Sequence, residues 1–518
     1  MKWAFIHFSF LLALTLIMVG CKVGPNYVRP CTLLPDNFNE DKPGRMVPIA
    51  NSIADEELVH WWEREFNDQC LNQYMEEALL WNFDLRIALE RIYQARANYW
   101  VQFTSIFPEI DSDFEATRFR ESQSFASSTP PLSIVPATPT KTKGKAPVTP
   151  TIPPLAIVPG NISPLHNFFQ IGLDMIWQID LFGKFRRAAQ SAYDTWEADI
   201  ENARGVKITV LSEVASIYVA ICYFQTKVDL AKKLVEFNKE LLAMSRDRFQ
   251  SGLANEEEVL TGVAAVENSE AGLNVFEIAL KQNIYSLGVL LGRPPEMLVC
   301  DFIARRPIPM PSGKIPQTLP AELLRRRPDI ASAERSLAAQ TELIGVAVAD
   351  LFPAVSLTGS SSSFAANPLQ GANIGFSSDK ISKLFNHASR IWGIGTLITW
   401  PIFDFGKRYA NVKIQKFLTN QAYLTYEKTV VTALQEVEIA LSTYFKEEEH
   451  FRHFRKQVNA DQRTLDLTLD QFQAGLISYT EFVTIKEQWL AAVNLLTDSE
   501  QAVATDFISV YKALGGDW

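Results

Sequence analysis

The sequence predicts a mainly α-helical protein built from two copies of one repeat, each a very long helical hairpin preceded by two β-strands. The intervals from Gly183 to Gly252 and from Gly406 to Gly475 have equal length and contain no proline. An unbroken helix of that size would be roughly 100 Å long, far beyond the usual length of about 12 residues. An internal duplication explains both intervals. Residues that match at an offset of 223 (406 − 183) include Phe182-Gly183-Lys184 with Phe405-Gly406-Lys407, Glu213-Val214 with Glu436-Val437, and Leu291-Gly292 with Leu514-Gly515.

Both long helices carry an apolar seam spaced by three and four residues, which is typical of helices that lie nearly parallel to one another. A glycine that ends a helix takes the left-handed conformation, so we expect the chain to turn back after Gly252 and Gly475. The predicted hairpins therefore span 183–292 and 406–515. The seam consists of Leu211, Val214, Tyr218 and Ile221 before a break at Gln225 in the first copy, and of Val430, Leu434, Val437, Leu441 and Tyr444 in the second.

The charge balance excludes one broad class of partner. The 518 residues carry a formal net charge of −10, and no basic stripe interrupts the acidic excess. Nucleic-acid-binding proteins need a basic face that displaces phosphate counterions. We therefore expect no nucleic acid among the partners.

The N-terminus has the layout of a secretory signal peptide over residues 1–20, with Lys2 before an apolar run from Ala4 to Val19. Cys21 follows a small residue at the end of that run, which resembles a bacterial lipobox and predicts a lipidated cysteine. The alternative is an unmodified signal peptide with an incidental cysteine. Lys22 stands where inner-membrane lipoproteins usually have aspartate, which favours the outer membrane. Residues 21–55 are predicted to be extended.

The remaining cysteines, Cys31, Cys70, Cys222 and Cys300, show no paired spacing although export places them in an oxidising compartment. Cys222 lies in an apolar helical stretch and is expected to be a small core residue. We predict no structural disulfide.

Two strands precede each long helix, at about 108–120 and 167–180 in the first repeat and about 353–363 and 391–402 in the second. Their residues alternate between apolar and polar, with tryptophans near the ends, as in a membrane β-barrel. The alternative is a small soluble sheet packed on helices. Outside the strands, we expect no apolar run long enough to span a bilayer as a helix. Four strands cannot close a barrel, so insertion requires a dimer with eight or a trimer with twelve, and the polar inner face favours the trimer.

The remaining segments complete two repeats at 56–300 and 319–518. The repeats align at an offset of 245 before the strands and 223 after them, so the first has 22 extra residues (245 − 223). That surplus lies in 128–164, a segment rich in proline, serine and threonine that is expected to be an extended outward-facing loop. Residues 301–318 form a proline-rich linker. Short helices are predicted at 79–103 and 319–348.

Several motifs in order resemble the TolC-type outer-membrane efflux lipoproteins, in particular the NodT branch that serves resistance-nodulation-division pumps. The resemblance implies a homotrimer with a 12-stranded β-barrel in the outer membrane and a 12-helix α-barrel tunnel in the periplasm, which opens when a periplasmic adaptor (membrane fusion) protein docks. The motifs are Cys21-Lys22-Val23-Gly24-Pro25-Asn26-Tyr27, Trp61-Trp62, Asp180-Leu181-Phe182-Gly183-Lys184, Leu323-Leu324-Arg325-Arg326-Arg327-Pro328-Asp329 with Ala333-Glu334-Arg335, Phe352-Pro353, Pro401-Ile402-Phe403-Asp404-Phe405-Gly406 and Leu514-Gly515-Gly516-Asp517-Trp518.

The resemblance also assigns roles to the hairpin tips. It makes them the periplasmic end that contacts the adaptor, and it makes the carboxylates that follow them candidates for a gate. Many relatives carry an aspartate about nine residues after the tip glycine, where this chain has Thr261 and Thr484, and solvated carboxylates at a helix start are the alternative. The predicted docking residues are Gly252, Leu253, Gly475, Leu476 and Ser478, and the predicted gate residues are Glu256, Glu257, Glu258, Glu481, Thr261 and Thr484.

No enzyme signature is present, and we predict no catalytic residue, no metal and no cofactor other than the lipid on Cys21. His450 and His453 with Glu447 present ligand atoms on one helical turn, although a charged solvated face is the commoner explanation. Arg325 to Arg327 are expected to pair with nearby carboxylates. The predicted function is passive export of small molecules from an inner-membrane pump. The alternatives are a protein-secretion duct and a structural or adhesive envelope lipoprotein with coiled-coil stalks.

Overall fold

The computed structural model describes residues 21–31, 38, 46–48, 60–120, 165–252, 254–312, 315–317, 326–358, 372–474 and 476–516. The predicted signal peptide at 1–20 and the predicted loop at 128–164 lie outside these ranges. The chain divides into two compact units, which are described separately. The strand-bearing unit contains Phe103–Arg186 and Val348–Arg408 with residues 21–23, and the helical unit contains Gly24–Gln102, Arg187–Ala347 and Tyr409–Trp518.

The first repeat holds short helices, two strands and a long hairpin. In chain order they are β1 Met46–Pro48, α1 Trp61–Phe66, α2 Gln69–Trp81, α3 Phe83–Thr104, β2 Glu109–Arg120, β3 Leu165–Ile179, α4 Lys184–Gln250 and α5 Glu256–Leu290.

The second repeat has the same long helices but more strand segments. Its elements, preceded by α6 Pro295–Leu298 and β4 Ile315–Gln317, are α7 Pro328–Ala349, β5 Ala354–Thr358, β6 Ala372–Ser378, β7 Arg390–Gly393, β8 Thr396–Thr399, α8 Lys407–Gln473 and α9 Tyr479–Ala513.

The two hairpins have identical helix lengths. Helices α4 and α8 contain 67 residues each, and α5 and α9 contain 35 each. Each hairpin ends in the same C-terminal cap, because Gly292 and Gly515 have positive φ angles of 68° and 98°. The next residues, Arg293 and Gly516, donate their backbone N–H groups to the carbonyls of Gly288 and Tyr511, both at 2.9 Å. These bonds satisfy carbonyls that a helix end leaves unpaired.

The predicted seams are part of the core. Val214, Tyr218 and Ile221 are fully buried in the first copy, as are Val437 and Leu441 in the second. Gln225, where the first seam breaks, is also buried. Its polar amide is tolerated there because it forms hydrogen bonds inside the protein. Gln225 donates to the carbonyl of Phe302 at 2.8 Å and accepts the N–H of Arg306 at 3.0 Å.

The predicted short helices were placed inaccurately. The helix predicted at 79–103 is two helices, since the chain leaves helical geometry at Asn82, and the earlier one begins at Gln69. Asp68 caps it by accepting the N–H groups of Cys70 and Leu71. The second short helix was predicted at 319–348. In the structure α7 begins at Pro328, and residues 319–325 lie outside the described residues.

The strands of both repeats form one antiparallel sheet with four strand positions. Strand β3 pairs with β2 on one edge, and with β5 and β6 one after the other on its opposite edge. Thr358 lies opposite Ile176 and Ala372 opposite Met175, so β5 and β6 occupy the same strand position along β3. Strands β8 and β7 then pair with β5 and β6 in the fourth position.

Two strand predictions for the second repeat were therefore wrong in detail. The strand predicted at 353–363 is described only at Ala354–Thr358, and Ala372–Ser378, which was not predicted, continues its position. The strand predicted at 391–402 is divided into Arg390–Gly393 and Thr396–Thr399, and it ends before Trp400. The division lies at Ile394-Gly395, between the part that pairs with β6 and the part that pairs with β5.

In the helical unit, short elements pack on the long hairpins. Trp61 stacks on Tyr511 with ring centroids 4.9 Å apart, and Phe66 meets Phe507 edge to face at 5.8 Å. The segments predicted to be extended also contribute, because β1 and β4 pair in parallel as a two-stranded sheet and Ile315 is fully buried.

We expected no helix that is long and apolar enough to span a membrane. By the criteria of length and composition, that expectation was wrong. Among the described residues, Lys184–Gln250 contains a stretch that is apolar enough, and more than half of that stretch is buried inside the fold. Such burial is typical of a core helix, in agreement with the packed seam of α4.

Candidate functional site

The hairpin tips present an open turn. Gly252 has a φ of 68°, and a Cβ placed there would have no atom within 4 Å. In the second tip, Leu476 donates its N–H to the carbonyl of Gln471 at 2.9 Å, and its side chain is 76% exposed. Leu253 and Gly475, which were also predicted here, lie outside the described residues.

The helices that leave the tips are capped at equivalent positions. Ser478 accepts the N–H of Glu481 at 3.2 Å, and Asn255 accepts the N–H of Glu258 at 3.0 Å. Asn255 was missing from the predicted site residues. The signal was present in the sequence, because Asn255 and Ser478 each stand three residues before a glutamate at a helix start.

The predicted gate residues lie in the first two turns of α5 and α9. Glu256, Glu257 and Glu258 occupy the first turn of α5, where the helix dipole favours negative charge. Glu258 also forms an ion pair of 3.0 Å with Arg248 across the first hairpin. The hydroxyls of Thr261 and Thr484 donate to carbonyls of their own helices, at 2.8 Å to Glu257 and 2.9 Å to Thr480.

The sheet has one apolar and one polar face. Directly paired residues in antiparallel strands share a face. The polar face contains Asp111, Asp113 and Glu115 from β2, with Gln170 and Asp174 from β3. The opposite face carries large apolar side chains that are 50% to 70% exposed, namely Ile110, Phe114, Leu173, Ile374, Trp392 and Ile398.

The segment after Cys21 is fixed at several points. Val23 donates its N–H to the carbonyl of Phe182 at 3.2 Å, beside the exposed Cys21. In the helical unit, the buried Arg187 donates to Glu342 at 2.8 Å, to the carbonyl of Gly24 at 3.2 Å and to Asn26 at 2.9 Å. A Cβ on Gly24 would lie 2.6 Å from the Cα of Gly345, so the segment approaches α7 as closely as glycine allows.

Two junctions join the end of a hairpin to the start of a short helix. In the first repeat, the Asn82 amide donates to the carbonyl of Leu290 at 2.8 Å. In the second, Arg327 donates to the carbonyl of Ala513 at 2.8 Å. Arg327 also contacts Asp329 and Glu436, at 2.7 and 2.6 Å. The predicted carboxylate pairing is therefore confirmed for Arg327, while Arg325 lies outside the described residues. We call these contacts the helix junctions.

The histidines on α8 show no ligand cluster. His450 lies 3.3 Å from Glu447, and Glu447 also accepts a hydrogen bond from Ser499. His453 is exposed. Within the described residues, no group of three or more histidine, cysteine or acidic side chains is arranged to hold a metal ion.

Residues 74–293 and 319–516 match the family described as Outer membrane efflux protein. The two matched segments correspond to the two repeats and cover most of the chain. This chain belongs to the outer membrane efflux protein family.

Relatives within this family match nearly the whole chain. Nodulation protein T of Rhizobium leguminosarum bv. viciae is 27% identical over 504 residues, covering 97% of this chain and 92% of that protein. The solvent efflux pump outer membrane protein SrpC of Pseudomonas putida is 27% identical over 515 residues, covering 97% of both. The solved outer-membrane channel OprN has a TM-score of 0.77 and 26% identity, and the alignment covers 96% of this chain and all of that one.

Proposed function

We propose that this family member is the outer-membrane exit duct of a tripartite efflux system, through which small molecules supplied by an inner-membrane pump leave the cell passively. The observation that carries the proposal is the sheet of four strand positions, which has an exposed apolar face and a polar face. Lipid requires an apolar exterior, and a water-filled channel requires a polar interior.

The edges of the sheet support a trimer. Strand β2 forms one edge and β7 with β8 the other, and each has a partner on one side among the described strands. Unpaired strand edges are not tolerated in a bilayer, so copies of the chain must pair edge to edge. Three copies would give a barrel of twelve strands, wide enough to hold water.

The long helices also support ring closure by several copies. Polar and aromatic contacts place them in the order α3, α4, α7, α8: Tyr99 stacks on Trp196, Arg335 pairs with Glu197 at 2.9 Å, and Gln340 bonds Gln415 at 2.8 Å. The outer members of this row keep exposed apolar side chains. They are Tyr93, Trp100 and Val101 on α3, and Phe417, Leu424 and Val431 on α8, all 50% to 64% exposed.

We propose that α3 of one copy packs against α8 of the next. Exposed apolar surface of this extent marks a contact between proteins. Three copies of four helices would then enclose the 12-helix tunnel that the family resemblance implies.

The hairpin tips are the proposed contact with a periplasmic adaptor protein. The exposed side chain of Leu476 and the open turn at Gly252 support this role, and the proposed contact also includes Leu253, Gly475 and Ser478.

Glu256, Glu257, Glu258 and Glu481 are the proposed gate residues, with Thr261 and Thr484 about one turn further along their helices. Three copies around an axis would place these carboxylates close enough to repel one another, and an adaptor that separates the tips would relieve that repulsion.

We also propose that Cys21 carries covalent lipid and anchors the protein in the outer membrane. Its exposed position beside the fixed Val23 supports this role, because an acyl chain there is held next to the strand-bearing unit.

Planar-bilayer conductance of the purified full-length protein tests the proposed function. An exit duct forms pores whose conductance increases with the width of the water-filled lumen. A structural lipoprotein with coiled-coil stalks conducts nothing, and that result would refute the proposal.

A further inference from the structure

A large cavity lies next to the helix junctions in the helical unit. Its volume is about 1020 Å³, and its walls come from α3, α4, α7, α8 and α9. Cavities that bind small molecules have volumes of roughly 300 to 1,000 Å³ and combine apolar walls with a few polar groups. Ile87 and Ile439 line it with half-exposed side chains, and Ala88 and Ile208 line it from buried positions.

The cavity opens on the face of the helices that the short elements leave uncovered. Phe507 and Tyr511 of α9 face Phe66 and Trp61 on the covered side. Asp506, Ser509 and Ala513 of the same helix line the cavity. The helical period places these three residues on the roughly opposite side of α9. In a ring of helices with the short elements outside, this face would border the tunnel.

The charge of the lining is negative. Asp84, Glu213, Asp329, Glu436 and Asp506 contribute five carboxylates, against three cations from Arg91, Arg327 and Lys512. Each repeat contributes one negative charge to the excess, because the first supplies two of the carboxylates with Arg91 and the second supplies three with Arg327 and Lys512. Arg327 pairs with both Asp329 and Glu436 in the second repeat, while its equivalent in the first repeat is the uncharged Asn82, which donates to the carbonyl of Leu290.

Asp506 adds a half-buried carboxylate that no hydrogen bond or ion pair satisfies within the described part of the chain. Burial, with Glu447 nearby, raises the pKa of Asp506 to about 6. A carboxylate that is desolvated without a positive partner is stabilised by any cation that enters the cavity.

We propose that this cavity binds a monovalent organic cation with an apolar body, such as an amphiphilic ammonium or phosphonium compound, on its way through the tunnel. The inference rests on the proposed function, since the cavity lies on the transport route only if the helices enclose a tunnel. The volume and the apolar walls fit an organic molecule. A bare metal ion fits less well, because the described residues contain no cluster of three metal ligands.

Isothermal titration of the purified full-length protein in a neutral detergent tests the inference, with tetraphenylphosphonium as the probe. Tetraphenylborate has the same shape and the opposite charge, so it serves as the matched control ligand. We expect the cation to bind and the anion to bind far more weakly. Equal binding of both ions would overturn the inference, because the charge of the lining would then play no part.

Variants separate this cavity from nonspecific binding. Asp506→Asn with Glu213→Gln should weaken binding of tetraphenylphosphonium about tenfold, since two attractive charges are removed at short range. Lys512→Gln should strengthen it severalfold, which misfolding cannot imitate. Glu487→Gln with Asp466→Asn makes the same charge change at exposed positions of α9 and α8 outside the lining and should leave the affinity unchanged.

Unchanged affinity in both the double variant and Lys512→Gln would refute the inference, as would equal losses in the control pair. Bilayer conductance distinguishes a failure of the cavity inference from a failure of the proposed function. A protein that conducts but does not bind the cation refutes the cavity alone, whereas a protein that forms no pore refutes the proposed function.

Discussion

Arg327 lies 2.6 Å from Glu436 although 109 residues separate them in the chain. The same guanidinium contacts Asp329 and the carbonyl of Ala513, so one buried side chain joins α7, α8 and α9. Asn82 at the equivalent position of the first repeat bonds Leu290 but carries no charge. The two helix junctions therefore share their geometry and differ in their electrostatics.

Replacing Arg327 should destabilise the second junction. Arg327→Met removes the donor to Ala513 and leaves Asp329 and Glu436 adjacent without a cation. We expect a loss of about 2 kcal/mol in the free energy of unfolding, limited because both carboxylates are half exposed. Thermal unfolding followed by circular dichroism measures the effect. Asn82→Ala, which removes only neutral hydrogen bonds, should cost about half as much. Equal melting temperatures for wild type and Arg327→Met would contradict this account.

The buried pair of Arg187 and Glu342 should control the N-terminal segment. Arg187→Met leaves Glu342 buried without its cation and removes two hydrogen bonds to the segment, so we expect a loss of about 3 kcal/mol. Cleavage by chymotrypsin after Tyr27 should become faster as the segment detaches. Glu334→Gln, which removes the partner of the half-exposed Arg29, is the control and should cost less than about 1 kcal/mol. An unchanged cleavage rate in Arg187→Met would show that other contacts hold the segment.

Lipidation is tested by mass spectrometry of the mature protein from outer membranes. We expect a mass increase on Cys21 that corresponds to acyl chains, and Cys21→Ser should remove it. Each buried CH₂ group contributes about 0.8 kcal/mol to membrane anchoring, so the variant should be extracted more easily from membranes. A native mature protein whose N-terminus is unmodified would exclude the lipid anchor.

The hairpin tips should be needed for export but not for assembly. Leu253→Asp with Leu476→Asp places charges where we propose an apolar contact with the adaptor, and an unpaired charge in a buried contact is costly. We expect drug export to be lost while the trimer remains in the outer membrane. Val28→Asp, at a residue that is 79% exposed on the N-terminal segment, is the matched control. Normal export by the double variant would remove the tips from the docking surface.

Asp506 should make stability depend on pH. Its folded-state pKa is raised to about 6 from the usual 3.8 by burial and by Glu447, so the folded protein binds this proton more tightly than the unfolded chain does. The contribution is therefore fully present below pH 4 and is lost as the pH rises through 6. Asp506→Asn should raise stability at pH 7.5 by about 1 kcal/mol, after allowance for partial exposure. Melting curves at pH 4.5 and 7.5 measure it. A variant that is stabilised equally at both pH values would show that burial of this carboxylate is not the cause.

Part of this protein could be predicted from the sequence because the relevant signals are local or repeated. The long helices follow from apolar periodicity between glycines, and their ends at Gly292 and Gly515 follow from the positive φ that glycine accepts easily. Alternation of apolar and polar residues predicted the ends of β2 and β3 to within two residues. The duplication was visible because both copies retain the same residues at helix ends.

Contacts between distant segments were decided only by the tertiary structure. Strands β5 and β6 share one position because β3 offers a continuous edge to both, and no local pattern shows that Thr358 and Ala372 face neighbouring residues of β3. The break at Asn82 likewise depends on the carbonyl of Leu290, 208 residues away. The cavity beside the junctions requires five helices at once. Hydrogen bonds and cavities of this kind depend on distances between side chains, and a periodic pattern fixes only the face on which each residue lies.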